Sequence, residues 1–227
     1  MGSQIEAFLV KDCTLVAIAT GLRAQNLREL RDHLQVVHPG SIYFHFWGGQ
    51  LRPDFDDPEY NNDFASWAAH ALHDLKLAER LGVIDPADFS LIESLRQELI
   101  DIIEERLDET EFLNWAHRDK QFHFVRAQTV VFDTGRRLKH PRELATAIPA
   151  LSLGSIYYHF IDARRREPQL VDDFTPWLVR CGEQYGDLCA QFAELDPYFI
   201  TLAELRTQLA SIIRHYRFEE VLLEQPA

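Results

Sequence analysis

Two short strings hold the most distinctive candidates for chemistry in this 227-residue chain. Gly40 to Phe46 reads GSIYFHF, and Gly154 to Phe160 reads GSIYYHF. Tyr43 and His45, like Tyr157 and His159, are polar groups in apolar surroundings, and Arg52 and Arg166 each lie seven residues beyond the histidine. An imidazole, a phenol and a guanidinium brought together could hold a phosphate, a carboxylate or a sugar. Two Thr-Gly-x-Arg segments add Arg23 and Arg137, each after a glycine expected to turn the chain at the end of a strand. The candidate ligand-binding set is therefore Tyr157, His159, Arg166 and Arg137 with their counterparts Tyr43, His45, Arg52 and Arg23. A competing account is packing: a histidine among aromatics is more often a core residue with a backbone partner, and an arginine in an acidic chain more often forms a structural ion pair.

Other chemical templates fail. The sequence has no GxSxG, Walker-type glycine loop, HExxH or GxGxxG, so no catalytic residue is assigned. His70, His73 and Asp74 could face one metal ion, but the second copy has Arg180 and Glu183 at the matching places, which favours a solvated helix face. The acidic run Asp54, Asp56, Asp57, Glu59, Asp63 lacks the EF-hand order and reads as an exposed loop. No metal and no cofactor is called for.

The elements that must position these groups also come in pairs. Thr20-Gly21 recurs as Thr134-Gly135, Arg28-Glu29-Leu30 as Arg142-Glu143-Leu144, Asp63-Phe64 with Trp67 as Asp173-Phe174 with Trp177, and Asp85-Pro86 as Asp196-Pro197. Matches in one order mark an internal duplication, with repeats at 1–113 and 114–227 expected to share a core. Ile92, Leu95, Leu99, Ile102 and Ile103 answer to Leu202, Leu205, Leu209, Ile212 and Ile213, one face of a closing helix in each copy. Ser90 with Glu93 and Thr201 with Glu204 would cap those helices. A preceding helix runs from Phe64 to Ala78 and from Phe174 to Leu188, with Asp63 and Asp173 as expected N-caps. A short helix follows Asn26, and its counterpart has Pro141 at the first position. Ser41 and Ser155 are expected caps for the GSIY segments, whose composition also permits a strand. Phe8 to Ile18 and Phe122 to Phe132, rich in Val, Phe and Thr, read as strands that would pair. The expected fold is mainly α (α+β): two pseudo-symmetric units, each a strand or ribbon plus about four helices.

Composition narrows the function. A net charge of −13 opposes sequence-independent nucleic-acid binding. The charge is uneven: residues 1–113 carry 9 Lys and Arg against 21 Asp and Glu, and residues 114–227 carry 14 against 15. The N-terminal residues suggest neither a signal peptide nor a membrane span. Three cysteines without a CxxC suggest a reduced, cytoplasmic protein. Self-association is left open.

Two resemblances follow from these motifs. Leu27 through Phe46 resembles the helix-turn-helix of tetracycline-repressor-type regulators, in which a Gly-Ser/Thr-Leu-Tyr-x-His-Phe string opens the recognition helix. The order Thr20-Gly21-x-Arg23, Glu29-Leu30, Ser41 to Phe46, Asn62 to Trp67 and Asp85-Pro86 is similar, over almost the whole chain, to an uncharacterised prokaryotic domain-of-unknown-function family. The second copy departs from that pattern at Asp172 and Pro176. The leading expectation is a cytoplasmic binding or regulatory protein for a small anionic or sugar-like ligand at the junction of the repeats. The alternatives are an enzyme acting on a phosphorylated or sugar substrate and a helix-turn-helix transcriptional regulator.

Overall fold

The computed structural model describes residues 6–51, 59–166, 168–216 and 218. Among them are two strands, β1 (Phe8–Ala24) and β2 (Phe122–Leu138), which pair antiparallel as a two-stranded ribbon. β1 leads into α1 (Leu27–Val36), α2 (Pro39–Trp47), α3 (Asp63–His70), α4 (Leu75–Gly82) and α5 (Ile92–Glu109). β2 leads into α6 (Leu144–Ala147), α7 (Leu153–Ile156), α8 (Phe174–Cys181), α9 (Gly186–Ala193) and α10 (Leu202–His215). The fold is mainly α with one β ribbon. None of the described helices is long and apolar enough to cross a membrane.

Both strands outrun their expected ends by six residues, because Gly21 and Gly135 do not turn the chain. They sit inside the strands at φ +82° and +77°, the left-handed backbone of a β-bulge. The preceding threonine secures each one. Thr20 Oγ1 donates to Phe124 O and accepts from Leu22 N, and Thr134 Oγ1 donates to Val10 O and accepts from Arg136 N.

The helix expected from Phe64 to Ala78 is two helices. The chain breaks at His73, whose φ is +54°, and Asp74 restarts it by accepting from Leu77 N. Its counterpart breaks at Gly182, φ +143°. The GSIY segments are helical, but their caps lie upstream: His38 Nδ1 accepts from Gly40 N, and Ser152 Oγ accepts from Ser155 N. Leu91, not Ser90, stands at the N-cap of α5, without a side-chain bond, whereas Thr201 and Glu204 do form the expected capping box. Tyr157–Ile161 continues α7 as a π-helical turn where the first copy stays α-helical.

The chain forms two compact units whose limits differ from the repeat limits. A central unit comprises Leu15–Thr129, and a terminal unit comprises Met1–Thr14 with Val130–Ala227. Each strand therefore gives one half to each unit. The central core is built on Leu30, Leu34, Phe46, Phe64, Leu77 and Leu99, and the terminal core on Phe160, Phe174, Trp177, Phe192, Leu205 and Leu209.

Candidate functional site

Asn62 accepts from Ala65 N, and Asp172 accepts from Thr175 N, so these residues, and not the expected Asp63 and Asp173, supply the capping bonds. The neighbouring aspartates have a different task. Asp63 Oδ2 lies 2.8 Å from His45 Nδ1, and Asp173 Oδ2 lies 2.7 Å from His159 Nδ1.

The other imidazole nitrogen is taken as well. Val125 N donates to His45 Nε2 at 3.1 Å in the central unit, and Lys11 N donates to His159 Nε2 at 2.9 Å in the terminal unit. A nitrogen that accepts a backbone N–H carries no proton, so the proton sits on Nδ1 and is donated to the aspartate. Both rings are buried among aromatics: His45 packs 4.7 Å from Phe122 and 5.3 Å from Phe64, and His159 packs 4.9 Å from Phe8 and 5.7 Å from Phe174. Neither ring offers a free nitrogen to a substrate or a metal, and among the described residues no cluster of His, Cys, Asp and Glu is arranged to hold a metal ion.

Around this shared scaffold the units differ. In the terminal unit Arg166 donates to Asp173 Oδ2 at 2.8 Å, to Tyr158 O at 2.9 Å and to Tyr158 Oη at 3.1 Å. Its guanidinium lies 4.3 Å from the centre of the Tyr158 ring, and Lys11 Nζ lies 5.9 Å from the same centre. Buried Asp162 pairs with Arg165 at 2.8 Å and approaches Arg166 at 3.5 Å. Burial alone would raise the Asp173 carboxyl, but the bonds from His159 and Arg166 and the Arg166 charge outweigh it and hold the group below its ordinary range. Burial, then the charges of Asp162 and Asp12, push the Cys13 thiol up to about 12, so this cysteine is not a thiolate nucleophile. The central unit has Phe44 where Tyr158 stands, Gly48 in place of Asp162 and Val125 in place of Lys11.

The structure thus joins His159 and Arg166, two of the eight sequence candidates, through Asp173. Tyr43 and Tyr157 are deep in the two cores. Arg137 does not join the cluster: both of its terminal nitrogens are committed to Asp133 on β2, and that pairing holds the Asp133 carboxyl down to about 2. Arg23 is exposed on β1, where its carbonyl accepts from His33 Nε2. Arg52 and Asp54, Asp56 and Asp57 lie outside the described residues. His70 is a surface residue bonded to Ser66 O, and Asp74 binds Arg106 at 2.8 Å. Leu27 through Phe46 does fold as two successive helices, α1 and α2, but every side chain of α2 from Ser41 to Trp47 is buried and none can reach a base edge.

Sequence reasoning missed Asp63, Asp173, Tyr158 and Asp162. One signal was available for the first two. An Asp follows a second capping-competent residue in both copies, Asn62-Asp63 and Asp172-Asp173, and a helix needs only one N-cap.

No curated protein sequence matches this chain. Among solved structures it is similar to OrfY from Thermoproteus tenax, at 27% identity with a TM-score of 0.80, over 94% of this chain and 96% of that one. Residues 5–214 match the family described as "Family of unknown function (DUF5752)". With the match spanning both repeats, the chain belongs to that family.

Proposed function

We propose that the protein acts by binding and not by catalysis, as a cytoplasmic binding or regulatory protein. Its recognition surface is the Arg166–Asp173 pair beside Tyr158 in the terminal unit, and its ligand is sugar-like. The observation that carries this reading is the double engagement of each histidine, which leaves the exposed part of the cluster to do the chemistry. The Arg166 and Asp173 side chains are 37% and 30% exposed, whereas His159 is 2% exposed. A guanidinium beside a carboxylate offers donors and acceptors side by side, the complement of neighbouring hydroxyls on a polyol. Lys11, Arg165 and Arg166 stand with Asp12, Asp162 and Asp173, so the local charge is balanced and a neutral polyhydroxylated ligand is favoured over a phosphate. The polar additions occur in one unit only, as expected of a site grafted on a duplicated scaffold. A reducing compartment suits three free cysteines.

The test is a thermal-shift series with neutral sugars, polyols and their phosphates. A ligand at a hundred times its dissociation constant adds about 2.7 kcal/mol of apparent stability. At least one neutral sugar should raise the midpoint in a concentration-dependent way. Tyr158→Phe, which installs the residue type of the other copy, should reduce that response several-fold while leaving the unliganded midpoint nearly in place. If the series produces no shift at millimolar concentrations, or the shift is unchanged in Y158F and R166Q, the assignment fails.

A further inference from the structure

We infer that the two repeats are obligate strand-exchange partners: the first half-strand of each is the built ligand of the other's helical body, and the peptide link at residues 110–113 is dispensable. The proposal rests on which repeat supplies each bond. In the terminal unit the helices belong to the second repeat and the docked half-strand to the first. Trp177 Nε1 donates to Glu6 O, Lys11 N donates to His159 Nε2, and Cys13 Sγ lies 3.4 Å from Gly154 O. The Phe8 ring packs 5.1 Å from Phe174 and 5.4 Å from Trp177. In the central unit the roles reverse. Trp67 Nε1 donates to Lys120 O, Val125 N donates to His45 Nε2, and Ser41 Oγ donates to Val125 O. The Phe122 ring packs 5.1 Å from Phe64 and 5.7 Å from Trp67.

The same recognition pattern is therefore written twice. A carbonyl meets a tryptophan indole, an aromatic ring enters the box two residues on, and an apolar side chain, Val10 or Phe124, is buried two residues after that. The next backbone N–H then meets the histidine. Backbone bonds supply the attraction and alternate side chains the specificity, which is how an added β-strand is recognised. Neither helical body fills its own aromatic box. Each depends on a strand that begins in the other repeat, so the fold stores its cohesion in these docking contacts and not in the connecting peptide. That peptide is exposed at Glu111 and Phe112, the latter 84% accessible. Cutting it changes the docking from intramolecular to intermolecular, which costs effective concentration but breaks no docking contact.

The test uses the full chain with a protease site inserted between Glu111 and Phe112, cleaved after folding. The two fragments should co-elute at the size of the uncut protein with an unchanged far-UV circular dichroism spectrum. The denaturation midpoint should become dependent on protein concentration. Fragments that elute apart, or that lose helical signal on cleavage, overturn the inference. A second variant checks that strand docking is responsible. A Cβ at Gly154 would stand 2.4 Å from Cys13 O and 2.3 Å from Asp12 Oδ1, atoms of the docked strand, whereas one at Gly186 would meet nothing within 4 Å. Cleaved Gly154→Ala should dissociate at concentrations at least tenfold above those at which cleaved wild type and cleaved Gly186→Ala dissociate. Equal dissociation of all three refutes it.

Discussion

Replacing His159 by alanine removes two hydrogen bonds and one ring from the terminal core. Lys11 N–H loses its acceptor at 2.9 Å, and a buried donor left unsatisfied costs about 1–3 kcal/mol. Asp173 loses the bond from Nδ1 but keeps Arg166 at 2.8 Å, so this loss falls at the low end of a charge-assisted bond, about 1.5 kcal/mol. The space left beside Phe8, Phe174 and Tyr158 adds a cavity penalty. Allowing for partial collapse of the site, His159→Ala should cost about 3–5 kcal/mol. His159→Phe keeps a ring in the box and isolates the polar component, at about 3 kcal/mol. Urea denaturation followed by circular dichroism measures both. The matched bonds of His45 imply that His45→Ala and His45→Phe follow the same order, to within about 1 kcal/mol. If His159→Phe is as stable as wild type, the bond from Lys11 contributes nothing and the scaffold role of the histidine is wrong. Nitrogen NMR of the imidazole gives an independent check, since both histidines should carry their proton on Nδ1.

Two further outcomes follow from differences between the copies and from the ribbon. Burial raises the Asp172 carboxyl above its ordinary range. A carboxyl raised in the folded state binds its proton more tightly there, so its contribution to stability declines as pH climbs through the unfolded value and stays reduced above the folded one. The stability of Asp172→Asn relative to wild type should therefore grow as pH rises above about 4, the ordinary carboxylate value. A urea-midpoint difference that is flat or shrinking over this range counts against it. Gly21 and Gly135 hold left-handed backbone with open space around the Cβ position, so Gly21→Ala and Gly135→Ala should each cost about 1–2 kcal/mol from conformation alone. Gly186→Ala, at the first position of α9 without positive φ, should be neutral or stabilising by thermal melt.

The repeat, the helical character and the faces of α5 and α10 were legible because they rest on local periodicity, and the duplicated copies checked each other. The ends of the strands were not. Thr-Gly-x-Arg reads as a turn, and only the opposing strand's carbonyl, which receives the Thr20 or Thr134 hydroxyl, reveals a bulge within a longer strand. The site was half legible for the same reason. His159 and Arg166 stand out by residue type, but the group that joins them reads as a helix cap. Capping is decided by a bond one residue away, at Asp172, which no periodicity encodes. The acceptor state of the histidine depends on Lys11, 148 residues distant along the chain, and tertiary pairing of that kind leaves no trace in a local pattern.

The divergence at Asp172 shows how the duplicated scaffold constrains change. In the central unit Asn62 performs two tasks: its Oδ1 caps α3, and its Nδ2 donates to Leu81 O near the end of α4. An aspartate at the matching place can cap but cannot donate, which would orphan the carbonyl of Phe192, the counterpart of Leu81. The terminal unit supplies the missing donor from elsewhere. Arg164, at the position of Gln50, reaches Phe192 O at 2.9 Å and Leu195 O at 3.1 Å, with its guanidinium 4.1 Å from the centre of the Phe160 ring. Burial lowers the affinity of Arg164 for its proton, while the charges of Asp172 and Asp196 act in the opposite sense. Aspartate and arginine are therefore coupled: either change alone leaves a buried charge or a buried carbonyl without its partner, and together they restore the bonding that one asparagine provides in the other copy. By contrast the histidine, its aspartate and the docked strand's N–H are the same in both units, and replacing either histidine would take the acceptor from the strand N–H and one bond from the aspartate.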